Sequence, residues 1–316
     1  MINTSCGYRR LARNMTGGIP HIVQYQGSKR ILAPRILERM PTCFDRLIEP
    51  FAGTAAITMA AASGRRAAEY HVNDINGPLA DMLRSAVESP DRLIEGYRKV
   101  WSEQFEYSSH IDHYYKVREE FNRGVKTPEN MLYLIARCVK GSVRYGKDGG
   151  FNQSPDKRRH GTRPDNVERD VSAISKLLKG RTTFSSVDYR EILDTACRGD
   201  VVYMDPPYQG VTGQRDSRYF SRVLFDEFVE SLETLNERRI GYIVSYDGAC
   251  GDKKYGTDLP PHLNCEKMLL DAGTSGQSVL LGRMEKTVEA LYVSPALQPP
   301  SGRRSAQQPG SCPESP

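Results

Sequence analysis

A short apolar strand followed by an acid and two prolines constrains the folding of this chain more than any other feature. Residues 201–204 are Val, Val, Tyr and Met, and Asp205, Pro206, Pro207 and Tyr208 follow directly. A continuous apolar run of this length is typical of a strand buried in a parallel sheet, and ligands of such sheets bind beyond the carboxyl ends of the strands. Because proline has no backbone N–H to donate, the strand has to end at this point.

The four residues after this strand combine groups that suit a planar base. Asp205 supplies a carboxylate, the two prolines fix the direction of the turn without adding competing N–H donors, and Tyr208 supplies an aromatic face. Together they can hold an exocyclic amino group on a stacked ring. A proline-rich turn without a ligand is the structural alternative, and the flanking acid and tyrosine argue against it.

An earlier segment has the pattern of a nucleotide-binding βα unit. Residues 44–49 predict a strand, Gly53 a tight turn and residues 55–62 an apolar helix, as in the first unit of a doubly wound sheet. A second predicted strand, residues 67–73, ends at Asp74, which follows Gly53 by 21 residues. An acid about 20 residues after the glycine turn reaches ribose hydroxyls in dinucleotide-binding folds. The alternative role of Asp74 is to cap the next helix.

The order of elements predicts an α/β fold, with a doubly wound, mostly parallel Rossmann-like sheet, an antiparallel closing strand pair and an inserted helical lobe. We expect the sheet domain to comprise residues 21–89 and 181–293, with the lobe at residues 90–180. Apolar residues in the lobe recur at spacings of three and four, as in amphipathic helices. Residues 1–20 are expected to form a loosely ordered lead-in, and the Pro- and Ser-rich residues 294–316 a disordered tail.

Composition argues against several classes of protein. With 316 residues and 38% hydrophobic content, the chain can bury one large α/β core or a core plus a smaller lobe. It has no apolar run of membrane-spanning length and no signal-peptide pattern, so we expect a cytoplasmic protein with no membrane partner. Its seven cysteines include no C-x-x-C pair, which argues against a zinc site, and we expect no metal.

Positive charge is concentrated between the two halves of the predicted sheet domain. Residues 137–169 contain nine Lys or Arg and four Asp or Glu, an excess that equals the formal net charge of +5 of the whole chain. The nine cations are Arg137, Lys140, Arg144, Lys147, Lys157, Arg158, Arg159, Arg163 and Arg169. A basic loop with interleaved Tyr145 and Phe151 suits contacts to phosphates and base edges. A solvated loop is the alternative.

Five segments, in this order, resemble the Dam-type family of S-adenosylmethionine-dependent adenine-N6 DNA methyltransferases. They are Tyr25-Gln26-Gly27-Ser28-Lys29, Glu49-Pro50-Phe51-Ala52-Gly53, Asn73-Asp74-Ile75-Asn76, Phe184-Ser185-Ser186-Val187-Asp188-Tyr189 and Asp205-Pro206-Pro207-Tyr208. Two positions depart from the family pattern, since Ala55 replaces a second glycine and Tyr25 stands where tryptophan is frequent. We expect the first to tighten the turn and the second still to stack.

The resemblance implies a site-specific DNA-methyltransferase (adenine-specific) that methylates a flipped-out adenine in duplex DNA. The implied catalytic residues are Asp205, Pro206, Pro207 and Tyr208. The implied cofactor-binding residues are Tyr25, Lys29, Phe51, Gly53, Asp74, Asp188 and Asp205. In the family pattern Asp74 holds the ribose of S-adenosylmethionine, Asp188 its adenine amino group, and Lys29 its carboxylate.

The resemblance also places DNA recognition in the basic stretch, where Arg144-Tyr145 and Phe151-Asn152 match pairs of the family. The DNA-binding candidates are Arg144, Tyr145, Asn152, Lys157, Arg158 and Arg159. Arg144 is the candidate for a bidentate guanine contact, and residues 157–159 are candidates for phosphate contacts. The expected partner is double-stranded DNA, bound by a monomer, and a cognate restriction endonuclease of a restriction-modification pair is left open.

Four alternatives remain. Cytosine-N4 methyltransferases act on another amino group but usually have Ser at the position of Asp205, and RNA adenine methyltransferases usually have Asn there. A catalytically dead DNA-binding protein on the same fold would be expected to have lost Asp205 or Tyr208. A nicotinamide dehydrogenase would explain Gly53 and Asp74 but would leave residues 205–208 without a role.

Overall fold

A mixed β-sheet organises the molecule, whose computed structural model describes residues 18–207, 224–250, 253–254, 257–274 and 286–298. The strands are β1 Phe44–Glu49, β2 Ala67–Asn73, β3 Thr182–Ser185, β4 Val201–Met204, β5 Gly241–Cys250, β6 Lys253–Lys254, β7 Glu266–Thr274 and β8 Lys286–Val293. Seven strands follow the order β3-β2-β1-β4-β5-β8-β7, and β6 pairs with the end of β5. The five strands from β3 to β5 in this order are parallel, and β8 is antiparallel to both β5 and β7. The predicted α/β class with an antiparallel closing pair is confirmed.

Nine α-helices connect and cover the strands in the described part of the chain. They are α1 Ala33–Leu37, α2 Ala56–Ser63, α3 Gly77–Glu88, α4 Pro90–Glu103, α5 His110–Asn122, α6 Pro128–Arg137, α7 Pro164–Leu178, α8 Tyr189–Asp194 and α9 Phe225–Glu237. Helices α4 to α7 occupy the region between β2 and β3, where the sequence predicts a helical lobe.

Strand β4 is continuously apolar because both faces of the sheet are covered there. Along β4, Val201 and Tyr203 pack into one hydrophobic cluster, whereas Val202 and Met204 pack into a second cluster with α8 and α9. Neighbouring residues of a strand point to opposite faces, so an uninterrupted apolar run fills two cores at once. The first cluster is continuous with the helical lobe, whose Tyr114 and Phe121 belong to it. The lobe and the sheet therefore share buried apolar contacts.

Residues 294–298, which the sequence assigns to a disordered tail, are held against the sheet. Ser294 is fully buried, and its hydroxyl accepts a hydrogen bond from the backbone N–H of Tyr242 at 2.9 Å. A 3₁₀ turn at Pro295–Leu297 then brings Leu297 against Gly241, where any side chain would collide with it. These contacts anchor the residues up to Gln298, so the prediction is wrong for residues 294–298. Residues 1–17 and 299–316 lie outside the described part of the chain.

Candidate functional site

A cavity of about 360 Å³ lies beyond the carboxyl ends of β1, β2 and β4. The strand order reverses between β1 and β4, and this switch point is where doubly wound sheets bind ligands. All seven predicted cofactor-binding residues line the cavity: Tyr25, Lys29, Phe51, Gly53, Asp74, Asp188 and Asp205. Pro206 and Pro207 line it as well, whereas Tyr208 lies outside the described residues.

The glycine turn and the acid of β2 are joined by a direct hydrogen bond. The backbone N–H of Gly53 donates to Asp74 Oδ2 at 2.8 Å, and Asp74 Oδ1 accepts from the N–H of Asn76 at 2.9 Å. Gly53 has a positive φ of 53°, and a methyl group there would lie 3.3 Å from the Tyr25 ring. Glycine is therefore favoured by both the backbone and the packing. Asp74, three residues before α3, shapes the turn and is not the N-cap of that helix, which is Asn76.

Ala55 occupies a conformation that favours glycine. Its φ and ψ of 54° and 44° are left-handed, and its side chain is fully buried at the N-cap of α2. The resemblance had suggested that alanine would tighten this turn. The structure instead places the β-carbon in a backbone region that is unfavourable for residues other than glycine.

Asn73 fixes the ends of three strands relative to one another, a role that the sequence analysis missed. Its side-chain amide donates to the carbonyls of Pro50 and Val187, both at 3.0 Å. Its oxygen accepts from the Val187 N–H at 3.1 Å and from the Ser185 hydroxyl at 2.8 Å. The sequence offered one signal for this role, namely an asparagine at the end of a predicted buried strand. A buried amide there has to be hydrogen-bonded.

Lys29 lies between two carboxylates instead of facing open space. Its ammonium is 2.8 Å from Asp205 Oδ2 and 3.1 Å from Glu289 Oε1. Burial alone would lower the pKa of Lys29, but the two carboxylates raise it above its ordinary value. The lysine is therefore charged. No sequence pattern pointed to Glu289, because β8 reaches this site only through long-range pairing with β5.

Two further acids at the cavity hold protons unusually tightly. Burial raises the pKa of Glu49 to about 7, although Glu49 Oε2 accepts the N–H of Thr58 in the first turn of α2 at 2.8 Å. Burial also raises the pKa of Asp74 to about 6, against the opposing effect of its two N–H donors. Both carboxyl groups therefore gain their negative charge near neutral pH.

Asp188 is the N-cap of α8 and lies at the cavity rim. Its carboxylate accepts the N–H of Arg190 at 2.9 Å and pairs with the guanidinium of the same residue at 2.9 Å. The hydrogen bonds with Arg190 lower the pKa of Asp188, so it is ionised at neutral pH. Nearby, the ring of Phe51 packs 5.1 Å from that of Tyr189, which forms an aromatic wall of the cavity.

The loop in the basic stretch is shorter than the predicted range of residues 137–169. The first residue of that range, Arg137, ends α6, and Arg169 lies within α7, so the loop comprises residues 138–163. We call residues 138–163 the recognition loop, after the role that the sequence predicts for them. Two buried tyrosines of the helical lobe hold this loop. The hydroxyl of Tyr97 donates to the carbonyl of Thr162 at 2.6 Å, and that of Tyr114 donates to the carbonyl of Gln153 at 2.8 Å.

Arg137, one of the nine cations counted in the basic stretch, has a structural role. Its side chain is fully buried, and its guanidinium donates to the backbone carbonyls of Asp156, Arg159 and His110. A buried guanidinium needs such acceptors, because removing its charge from water is costly. Arg137 therefore ties the recognition loop to the lobe and contributes no surface for DNA.

A small hairpin within the recognition loop presents two of the DNA-binding candidates. Tyr145 and Phe151 form an antiparallel bridge, and the N–H of Asn152 donates to the carbonyl of Arg144 at 2.9 Å. The side chains of Arg144 and Asn152 are exposed. Lys157, Arg158 and Arg159 are exposed further along the loop, and Arg159 pairs with Asp156 at 2.7 Å.

Tyr145 faces the cavity and not the outer surface of the loop. Its side chain is 6% exposed, and its hydroxyl donates to Asn76 Oδ1 at 3.0 Å. In this position the ring is a wall of the cavity next to Asp74, whose Oδ1 binds the Asn76 N–H. This arrangement gives Tyr145 no exposed face for DNA and makes the recognition loop part of the cavity wall.

Two features are absent from the described residues. No helix there is long and apolar enough to cross a membrane. Likewise, within the described ranges, no group of three or more His, Cys, Asp or Glu side chains is arranged to hold a metal ion.

The sheet order and the switch-point cavity define a class, a Rossmann-like α/β protein with a site for a nucleotide-sized ligand. A family model described as D12 class N6 adenine-specific DNA methyltransferase matches residues 25–268. This match covers well over half of the 316 residues, and the chain belongs to that family.

Curated relatives agree with this assignment. The chain is 30% identical over 194 residues to the retron Ec67 DNA adenine methylase of Escherichia coli, covering 60% of this chain and 64% of the relative. It is 28% identical over 189 residues to the DNA adenine methylase of Serratia marcescens (59% and 66% covered). It is 26% identical over 194 residues to the type II methyltransferase M1.LlaDCHI of Lactococcus lactis subsp. cremoris (58% and 64% covered). The chain thus spans slightly less than two thirds of these relatives.

Among solved structures, the putative methyltransferase yhhF from Escherichia coli aligns with a TM-score of 0.34 and 10% identity. That alignment covers 84% of this chain and 85% of the other. The similarity is too distant to support an inference about function.

Proposed function

We propose that this protein is a site-specific DNA adenine-N6 methyltransferase that uses S-adenosylmethionine as its methyl donor. The charge of the cavity is the observation that carries the proposal. Its ionisable lining includes four carboxyl groups, those of Glu49, Asp74, Asp188 and Asp205, and one ammonium, that of Lys29. A cation bound nearby favours the ionised forms of Glu49 and Asp74, so a site with this excess of acids suits a cationic ligand. S-adenosylmethionine carries a sulfonium and an ammonium.

The same geometry argues against a nicotinamide dinucleotide. A pyrophosphate binds where N–H groups at a helix N-terminus point at it. Here the N–H of Gly53 is bound by Asp74, and the N–H of Thr58 in the first turn of α2 is bound by Glu49. Two carboxylates occupy the positions that an anionic ligand would need, so the dehydrogenase alternative is disfavoured.

The chain's own residues account for the binding of the donor. Asp74, next to the Gly53 turn, would accept hydrogen bonds from ribose hydroxyls, and the ionised Asp188 at the rim would accept one from an adenine amino group. The wall formed by Phe51 and Tyr189 offers an apolar surface for the adenine ring. The donor supplies a methyl group that is already electrophilic on its sulfonium sulfur, so the proposed reaction needs no metal.

Asp205 is the proposed catalytic acceptor. The lone pair of adenine N6 is delocalised into the ring, which makes the amine a weak nucleophile. Hydrogen bonds from N6 to the Asp205 carboxylate and the Pro206 carbonyl would orient this lone pair toward the methyl group. The nitrogen then forms its bond to carbon as the carbon–sulfur bond breaks, and the carboxylate stabilises the resulting positive charge until a proton leaves.

Duplex DNA is the proposed substrate, with the target adenine flipped out of the helix. In this proposal Arg144 and Asn152 of the hairpin read base edges, and Lys157, Arg158 and Arg159 contact phosphates; the exposure of all five side chains supports these roles. In the family pattern Tyr208 stacks on the flipped base. We further propose that the protein acts as a cytoplasmic monomer, which light scattering tests against the chain mass of 35.5 kDa.

One relative is named a type II methyltransferase, which motivates a cognate restriction endonuclease as a further proposal. DNA methylated by this protein would then resist a nuclease that cuts the unmodified sequence. A nuclease encoded beside the gene provides the test. If such a nuclease cuts methylated and unmethylated DNA equally, it is not the partner.

The test of the activity is transfer of an isotope-labelled methyl group from S-adenosylmethionine to unmethylated duplex DNA, followed by nucleoside analysis. We expect label in N6-methyladenine. Label in N4-methylcytosine would support the cytosine alternative, and transfer only to RNA the RNA alternative. Tight DNA binding without any transfer would indicate a catalytically dead DNA-binding protein.

A further inference from the structure

Glu289 is a buried acid that reaches the proposed catalytic site from the closing strand pair. It lies in β8, and its Oε1 is 3.1 Å from the ammonium of Lys29, which is itself 2.8 Å from Asp205 Oδ2. The three side chains are 12%, 8% and 20% exposed, respectively. Neither the motifs nor the proposed chemistry assigns a role to Glu289.

At least three acceptors lie close to the ammonium of Lys29, which has three N–H groups. Besides the two carboxylates, the carbonyl of Gly27 lies 3.5 Å from Nζ. A ligand carboxylate would therefore have to displace one of these acceptors to bind Lys29. This geometry gives Lys29 a different task from the one implied by the family pattern, namely holding Asp205.

Several ionisable groups surround the pair formed by Lys29 and Asp205. Glu49 from β1 and Tyr203 from β4 lie close enough to interact electrostatically with Asp205, and Glu289 approaches from β8. Only Lys29 among these groups is cationic. If Lys29 were paired with Asp205 alone, the whole electrostatic attraction of the ammonium would act on the carboxylate that has to bind the amine. Because Glu289 also pairs with Lys29, the attraction is divided between two carboxylates.

We propose that Glu289 is a positioning residue for methyl transfer. It anchors Lys29 from the β8 side, and Lys29 in turn holds Asp205 through Oδ2, which fixes the orientation in which this carboxylate meets the amine. In this proposal Glu289 acts through Lys29, to which its carboxylate is paired. This inference rests on the proposed function, because it requires Asp205 to bind the amine.

The experiment compares Glu289→Gln, which keeps the size of the side chain and removes its charge, with the wild type. The methylated sequence is first identified with wild-type enzyme, and single-turnover methylation of a duplex containing it is then measured. We expect the transfer rate of Glu289→Gln to fall by between about ten- and a hundredfold, since a displaced catalytic group costs that much. The affinities for S-adenosylmethionine and DNA should change by less than about threefold, because those contacts are intact.

Three further variants make the result specific. Glu266→Gln is the matched control, since Glu266 is an exposed glutamate of β7 in the same strand pair, and it should behave as wild type. Glu289→Asp keeps the charge with a shorter reach and should restore part of the rate. In a Lys29→Gln background, adding Glu289→Gln should have little further effect, because Glu289 acts through the lysine.

Each outcome decides the proposal. A wild-type rate in Glu289→Gln would overturn it, as would a full additional loss in the Lys29→Gln background. If Glu289→Gln lowered the transfer rate, the cofactor affinity and the melting temperature together, Glu289 would have only a structural role, which would also overturn the proposal. Should Glu289→Gln not fold, a lower transfer rate in Glu289→Asp with unchanged cofactor affinity supports the proposal, and a wild-type rate there refutes it. Failure of the wild type to methylate adenine would refute the proposed function instead.

Discussion

Replacement of Glu49 by glutamine should make the protein more stable at alkaline pH and not at acidic pH. Glu49 is 2% exposed, and burial raises its pKa from 4.5 to about 7. An acid whose pKa is higher in the folded state binds more protons there, so its contribution to stability is full below about pH 4.5 and is lost as the pH rises through 7. A shift of about 2.5 units corresponds to about 3 kcal/mol.

The assay is urea unfolding of wild type and Glu49→Gln at pH 8 and at pH 5. Glutamine can accept the same N–H of Thr58 but carries no charge. The stability of Glu49→Gln relative to wild type should therefore be higher at pH 8 than at pH 5 by about 2–3 kcal/mol. Glu69→Gln, at an exposed position of β2, should give the same difference at both pH values. A pH-independent effect of Glu49→Gln would refute the reasoning.

Three other predictions concern the turn and the recognition loop. Ala55→Gly should relieve the left-handed strain and leave stability unchanged or raised by up to about 1 kcal/mol, despite the lost methyl group; a loss above about 1 kcal/mol on urea unfolding would contradict this. Tyr145→Phe should weaken S-adenosylmethionine binding in calorimetry, because it removes the hydrogen bond to Asn76 at the cavity wall. Tyr114→Phe removes a contact to the loop away from the cavity and should leave the affinity unchanged. Equal effects of the two variants would argue against Tyr145 as a cavity residue. Arg144→Ala should relax site preference on a randomised duplex library by about 1–3 kcal/mol, and an unchanged preferred site would place base reading elsewhere.

Much of the fold followed from the sequence because the decisive patterns are local. The predicted strand over residues 67–73 matches β2, and the apolar run before Asp205 matches β4, since both strands end at residues that interrupt them. Five of the seven cofactor candidates (Phe51, Gly53, Asp74, Asp188 and Asp205) share one cavity because they follow strands of the parallel sheet, whereas Tyr25 and Lys29 reach it from the segment before β1. Parallel strands deliver the residues at their carboxyl ends to a single edge of the sheet.

The errors came from long-range contacts, which local patterns do not contain. Arg137 counts toward the charge of the basic stretch, yet its side chain is buried, because three backbone carbonyls of distant segments accept its hydrogen bonds. Glu289 looks like an ordinary glutamate of an edge hairpin until β8 pairs with β5. Residues 294–298 have the composition of a tail, but Ser294 bonds to β5. In each case the partner lies far away in sequence.

The most direct test of the central claim is whether Asp205 is needed for transfer but not for donor binding. Asp205→Ala should abolish incorporation of labelled methyl groups into adenine, while calorimetry without DNA should give an affinity for S-adenosylmethionine within about an order of magnitude of wild type. As a counterpart, Asp74→Ala should lose about ten- to a hundredfold in that affinity. If purified Asp205→Ala kept more than about a tenth of the wild-type turnover, the carboxylate at the end of β4 would not be the group that holds the amine.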